Sequence, residues 1–226
     1  MALILSIDTA TEHASVCISS GEKILALAES TEQKNHASFV QPAIQQLMNE
    51  AGTALKDLDA VAVTAGPGSY TGLRVGMASA KGICYALQKP LMLVDTLEVM
   101  AFAASMKTNA VNAFFCPMID ARRMEVFTAL YDPALEEIKP PHALVLEPGC
   151  FSELLSRQSV VFSGSGSLKL KELVKSSNAI FSPVQHSAVH LASRALNRFK
   201  QGIFADLAYT EPLYVKEFFS PAPKSK

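Results

Sequence analysis

The chain predicts an α/β protein built from two duplicated βββαβαβα subdomains, and three observations carry that reading. The order three strands, helix, strand, helix, strand, helix can be traced twice along the 226 residues. Ile7-Asp8 closes the first strand of one half, and Ile119-Asp120 closes the first strand of the other. Gly66-Pro67-Gly68-Ser69 follows the fourth strand of the first half, and Gly164-Ser165-Gly166-Ser167 follows the fourth strand of the second. A duplicated unit sets Asp8 and Asp120 opposite each other across a cleft, with a glycine turn on each side. The expected subdomains are residues 1–106 and 107–219, with the last helix packing back on the first subdomain. A tail over 220–226, with two prolines and two lysines, is expected to be disordered.

In the first half, Leu3–Asp8, Ala14–Ser19 and Lys23–Ser30 read as a meander of strands, with Gly21 at the tight connection between the last two. Phe39, Val40, Ala43, Ile44, Leu47, Met48 and Ala51 form an apolar stripe of helical period. Ser38 and Gln41 have capping-box spacing, which starts this helix at Ser38, and Gly52 closes it. Pro42 sits awkwardly there, because it removes a backbone donor near the first turn. Ala60–Ala65 reads as a strand buried on both faces. The helix after it, capped by Ser69 or Thr71, runs to Leu87. Gly72, Gly76, Ala80 and Cys84 fall four apart on it and form one ridge of small side chains. Gly72, Gly76 and Gly82 together cost the helix on the order of 2–3 kcal/mol. Close approach of another backbone, from this chain or another protein, is the simplest offset. A strand at Leu91–Asp95 and a helix to about Met106 complete the half.

The second half reads as strands Ala113–Asp120 and Met124–Tyr131, a loop Asp132–His142 and a strand Ala143–Leu146. The loop assignment rests on Pro133, Pro140 and Pro141. A helix Pro148–Arg157, a strand Ser159–Ser163 and a helix to Lys175 follow. A short strand Ala179–Phe181 leads to a helix Ala188–Gln201 with Val189, Ala192, Ala195, Leu196 and Phe199 on one face.

Composition narrows the function. Apolar residues make up 49% of the chain, and its mean hydropathy is +0.21, as in a well-buried globular protein. A net charge of −1 argues against non-specific nucleic-acid binding by this chain alone. Cys17, Cys84, Cys116 and Cys150 lie far apart in or beside apolar runs and read as reduced core thiols of a cytoplasmic protein. The start of the sequence has no basic region, and no apolar run is long enough to span a membrane.

Several residues invite chemistry. The Gly66–Gly72 turn is GxGxxxG, one residue longer than the dinucleotide spacing and without the lysine of a Walker loop. Anion binding by its backbone N–H groups and a purely structural turn both stay open. Asp8 is a magnesium- or water-binding carboxylate, or a strand-end aspartate bonding the N–H groups of the next turn. Ser69 lacks the GxSxG context of a nucleophile. His186 and His190 stand four apart with no third metal ligand nearby, and read as a surface pair at a helix start. Lys169, Lys171 and Lys175 read as a solvated helix face. Arg74 is an interface residue or the partner of a local carboxylate.

In these residues together the chain resembles the TsaB (YeaZ) family, within the actin, sugar-kinase and heat-shock ATPase superfamily. The resemblance rests on Ile7-Asp8-Thr9-Ala10-Thr11, the His36…Pro42 helix start, and Gly66 through Gly76 with Ala80-Lys81-Gly82. Ile119 through Arg123, Glu125-Val126 and Pro212-Leu213-Tyr214 extend it over nearly the whole chain. It implies an actin-like ATPase (ribonuclease H-like) fold. It also implies a non-catalytic, activating subunit of the bacterial complex that forms threonylcarbamoyladenosine (t6A) in tRNA. A TsaD-type paralogue and a TsaE-type ATPase are the implied partners. The same surface is expected to support a homodimer when the chain is alone, and tRNA is reached only through the complex.

No metal or cofactor is expected on this chain alone; ATP and a metal are used by the partner subunits. Where the catalytic paralogue has a second metal-binding histidine, this chain has Val40 after His36. Partner binding is expected on Ser38, Phe39, Gly72, Arg74, Gly76, Met77 and Ala80. A vestigial cleft is expected at Asp8, Thr9, Gly66, Gly68, Ser69, Thr71, Asp120, Arg122, Gly164 and Gly166. Arg122 and Arg123 are expected to fill it; binding phosphate and pairing with Asp120 are their alternatives. A stand-alone metallopeptidase-like or ATP-dependent small-molecule enzyme of the same superfamily is the competing reading.

Overall fold

The structure is a computed structural model that describes residues 1–32 and 35–216; the expected tail lies outside the described residues. Strands β1 (Leu3–Asp8), β2 (Ala14–Ser20) and β3 (Lys23–Ser30) form the antiparallel meander. Helix α1 (His36–Glu50), β4 (Ala60–Thr64), α2 (Tyr70–Leu87), β5 (Leu91–Val94) and α3 (Thr96–Lys107) follow. Then come β6 (Phe114–Asp120), β7 (Glu125–Tyr131), β8 (Glu137–Val145), α4 (Ser152–Arg157), β9 (Val160–Ser163), α5 (Ser167–Leu173), β10 (Ala179–Ser182) and α6 (Ala188–Gln201).

The two sheets have one topology. The first is ordered β3-β2-β1-β4-β5 and the second β8-β7-β6-β9-β10. In each, the first strand pairs antiparallel with the second and parallel with the fourth. The fold is thus a duplicated, actin-like α/β unit.

Three elements differ from the sequence reading. Helix α1 starts two residues before Ser38, and no side chain caps it. The Ser38 hydroxyl instead donates back to the Asn35 carbonyl. Pro42 therefore stands inside the helix rather than in its first turn. Strand β8 begins at Glu137 and carries Pro140 and Pro141, which an edge strand tolerates because it need not donate on its open side. Helix α4 begins at Ser152, leaving Pro148 outside it.

The helices cover the sheets reciprocally. Helices α1 and α2 pack on one face of the first sheet, through Val40, Ile44, Leu47 and Met77 against Leu5, Ile7, Val16 and Val63. The other face takes α6: Leu191, Ala195 and Leu196 meet Ile4, Ala62, Met92 and Val94. Helix α3, from the first half, packs on the second sheet through Leu97, Met100, Ala101 and Ala104. Where α3 and α6 meet, Glu98 accepts from Arg194 and Arg198 at 2.7–2.9 Å. Residues 205–216 return over the first sheet. Ala205 bridges to Leu91, Lys81 donates to the Thr210 carbonyl, and Leu213 N–H donates to Ala65.

Candidate functional site

The first glycine turn is closed by the loop leaving β1. Asp8 ends that strand almost wholly buried, and its Oδ1 accepts from Ala10 N–H and the Thr64 hydroxyl. Its Oδ2 lies 3.3 Å from His186 Nε2. Thr9 Oγ1 donates to the Gly72 carbonyl, and Ser69 N–H donates to Ala10. The Ser69 side chain accepts from Gly72 N–H, so Ser69 caps α2 and Thr71 stands exposed. A Cβ at Gly68 would strike the Ala10 carbonyl, and one at Gly66 (φ +122°) the Leu213 carbonyl. The turn's N–H groups at Ser69 and Gly72 are already bonded within the chain, and the Ala10 and Leu213 carbonyls press against its glycines.

The small-residue ridge of α2 also faces inward. A Cβ at Gly72 would strike the Thr9 carbonyl, and one at Gly76 the Thr9 hydroxyl. Gly72, Gly76, Met77 and Ala80 are all buried within the chain. The offset for the helical glycines is therefore the chain's own β1–β2 turn, which corrects the expectation that this ridge is presented to a partner. Of the other expected contact residues, Ser38 and Arg74 are exposed and Phe39 is half-buried. The outer face of α2 has a different stripe, Ala78, Gly82 and Ala86, all exposed, with open space around Gly82 and Tyr85 beside them. Among the described residues Arg74 finds no carboxylate partner: its guanidinium lies 4.2 Å from the Tyr70 ring centre, and its Nε donates to Tyr214 Oη at 3.1 Å.

The second turn is built alike but holds its aspartate differently. Gly164 (φ +84°) packs on the Met118 carbonyl and Met100, and Gly166 packs on Val126 and Met118. Asp120 is exposed, unlike Asp8. It accepts from Arg122 N–H at 2.6 Å and from Lys169 Nζ at 2.7 Å. Lys169, expected in solvent, is thus the partner of Asp120; Lys171 and Lys175 are exposed. The expectation that Arg122 and Arg123 fill the cleft is not met, since both are exposed and neither guanidinium pairs with Asp120.

Between the β1–β2 loop and the second glycine turn lies a cleft of about 70 Å³ lined by Thr11, His13, Met100, Ile119, Gly164 and His186. Small-molecule sites usually measure several hundred Å³. Beyond Gly164 lies a wider cavity of about 430 Å³, in which Lys171 is the one cation.

His186, expected at the surface beside His190, is buried. It lies against Asp8, and burial, more than the charge of nearby His13, holds its imidazole below the usual histidine range despite the pull of Asp8. His190 does a separate job, its Nδ1 accepting from Ser187 N–H at the start of α6. Among the described residues no group of three His, Cys, Asp or Glu side chains is placed to hold a metal ion. His36, the one histidine left at the start of α1, is buried on the Thr11 carbonyl at 2.8 Å. Three of the cysteines are core thiols: burial raises Cys17 and Cys116 to about 12 and Cys84 to about 11. Cys150, expected in the core, is exposed.

Residues 24–212 match the family model described as TsaD, tRNA N6-adenosine threonylcarbamoyltransferase. The chain is 30% identical over 220 residues to the tRNA threonylcarbamoyladenosine biosynthesis protein TsaB of Escherichia coli, covering 94% of each. It is 30% identical over 177 residues to the TsaB of Bacillus subtilis, covering 76% of this chain and 75% of that protein. The solved structure of YeaZ from Pseudomonas aeruginosa superimposes with a TM-score of 0.81 at 26% identity, over 95% of this chain and all of that one.

Proposed function

This chain belongs to the TsaB (YeaZ) family, and on that premise we propose that it takes part in forming threonylcarbamoyladenosine in tRNA as a non-catalytic, activating subunit. Transfer of the threonylcarbamoyl group to the adenosine 3′ of the anticodon is then the work of a TsaD-type paralogue, with a TsaE-type ATPase as third member. ATP and the metal belong to those partners, and tRNA is met in the assembled complex, in the cytoplasm.

One observation carries the reading. The aspartate that ends β1, where chemistry would be placed, is almost wholly buried, with Oδ1 held by Ala10 and Thr64 and Oδ2 shut in beside His186 at 3.3 Å. Substrate has no open carboxylate to meet there. Docking of the paralogue falls to the outer face of α1 and α2. This face combines small side chains at Ala78, Gly82 and Ala86, which let a second backbone approach, with the larger Phe39, Arg74 and Tyr85. The same face is proposed for the homodimer of the chain alone.

An omit-one reconstitution tests the proposal. The TsaD-type protein, the TsaE-type ATPase and the adenylate-forming enzyme are mixed with tRNA, ATP, threonine and bicarbonate, with and without this chain, and modified adenosine is read by mass spectrometry. Modification should require the chain and should survive Asp120→Ala. Modification without the chain would remove the proposal; dependence on the Asp120 carboxylate would make the cleft a chemical site.

A further inference from the structure

The turn joining β6 to β7 is Ala121-Arg122-Arg123-Met124, closed by Ala121 N–H to the Glu125 carbonyl and Glu125 N–H to the Arg122 carbonyl. Both arginines have positive φ, +70° and +47°. Left-handed positions are the ones that asparagine and glycine adopt most readily, because other L side chains crowd their own backbone there. Two arginines in that place are a poor choice for the turn itself, so their use must be looked for in the side chains.

Those side chains are exposed, and among the described residues neither guanidinium has a carboxylate partner. The nearby acids are already engaged. Asp120 holds Lys169, and Glu125 holds Lys216. With Lys169 paired to Asp120 and Lys216 to Glu125, the two guanidiniums are the charges at the tip left without an ion-pair partner among the described residues, on a chain whose net charge is −1. Among the described residues of the turn, Met124 is the one large apolar side chain, too little to form the desolvated centre of a protein interface. Adjacent, solvated guanidinium forks match phosphate oxyanions, which bind bidentately and tolerate water.

We infer that the Arg122–Arg123 tip is a contact for the phosphodiester backbone of RNA, made once the chain is assembled with its paralogue. The inference rests on the function proposed above, which brings tRNA to the complex. These contacts position the RNA and read no sequence.

The test replaces the pair with the residues the turn prefers, Arg122→Asn with Arg123→Gly. This variant keeps or improves the hairpin, so a binding defect cannot be assigned to misfolding; its thermal midpoint should equal or exceed that of the parent. Binding of fluorescein-labelled, unmodified tRNA carrying adenosine 3′ of the anticodon is followed by anisotropy over a range of salt, using the complex of this chain with its paralogue. Affinity should fall about tenfold at low salt, and the slope of log K against log salt should become shallower by about 1–2. Unchanged affinity and slope with an intact complex would overturn the inference. So would failure of the variant to assemble with the paralogue, which would make the tip a contact for an acidic protein surface. The omit-one assay separates the two readings: if wild-type chain is dispensable, the proposed function fails; if it is required and the variant binds tRNA normally, only the arginine contact fails.

Discussion

His186 Nε2 lies 3.3 Å from Asp8 Oδ2, with 5% and 1% of the two residues exposed. The pair joins the end of the first strand to the residues that start the last helix. Burial outweighs the attraction of Asp8, so the imidazole is harder to protonate in the folded chain than in the unfolded one. The unfolded chain therefore binds the proton first as pH falls. Stability from His186 is fully present above the ordinary histidine value of 6.5 and is lost as pH drops below it. His190, held down mainly by burial and next by His186, acts in the same direction. The melting midpoint should fall between about pH 7 and 5, and His186→Asn should flatten that part of the profile. An unchanged profile would mean that His186 titrates as a free imidazole.

Asp95 behaves in the opposite sense. Burial, then the neighbouring Glu98, pushes its carboxyl up to about 6, against the pull of Arg198. The folded chain holds this proton longer, so the associated stability is present below the ordinary aspartate value and is lost as pH rises through about 6. Asp95→Asn removes the charge without changing size. It should stabilise the protein by roughly 1–2 kcal/mol at pH 7.5 and by little at pH 4, as read by urea unfolding at both.

Gly76 and Gly82 lie on the same helix and should respond oppositely to alanine. At Gly76 a methyl group collides with Thr9 Oγ1 and Val63 inside the fold. Gly76→Ala should cost about 1–3 kcal/mol, as overpacking does. At Gly82 the methyl meets nothing within 4 Å. Gly82→Ala should gain up to about 1 kcal/mol from helix propensity. Denaturant midpoints of the two variants decide it.

A larger side chain at Gly82 separates folding from docking. Gly82→Arg points into open space, so the unfolding midpoint should stay near that of the parent. On the proposed α1–α2 face it should abolish co-elution with the TsaD-type paralogue in size-exclusion chromatography. Retained co-elution would move the interface elsewhere.

The order of elements along the chain, the glycine turns and the helix periods were legible because each is a local pattern: apolar runs, hairpin glycines, stripes three and four apart. The small ridge on α2 was legible as a site of close approach, yet a stripe of glycines cannot say which backbone comes close. Thr9 supplies it through a β1–β2 turn far from α2 in sequence. The Asp8–His186 pair was not legible for a similar reason. It exists because α6 crosses to the first sheet, and a histidine in a loop ahead of a helix has no periodicity to announce burial. The one hint was that Asp8 and the start of α6 both border cleft-forming turns. Pro140 and Pro141 read as loop because proline breaks central strands, and only the sheet order shows β8 to be an edge.

Reciprocal cover by α3 and α6 also has a consequence for biosynthesis. While the ribosome is still making the second half, the face of the first sheet formed by Ile4, Ala60, Ala62, Met92 and Val94 has no helix to lie against it. That face stays bare until Gln201 has left the exit tunnel, and the Ala65–Gly66 turn waits longer still for Leu213. The N-terminal half thus completes its own core only with residues made after the whole second sheet.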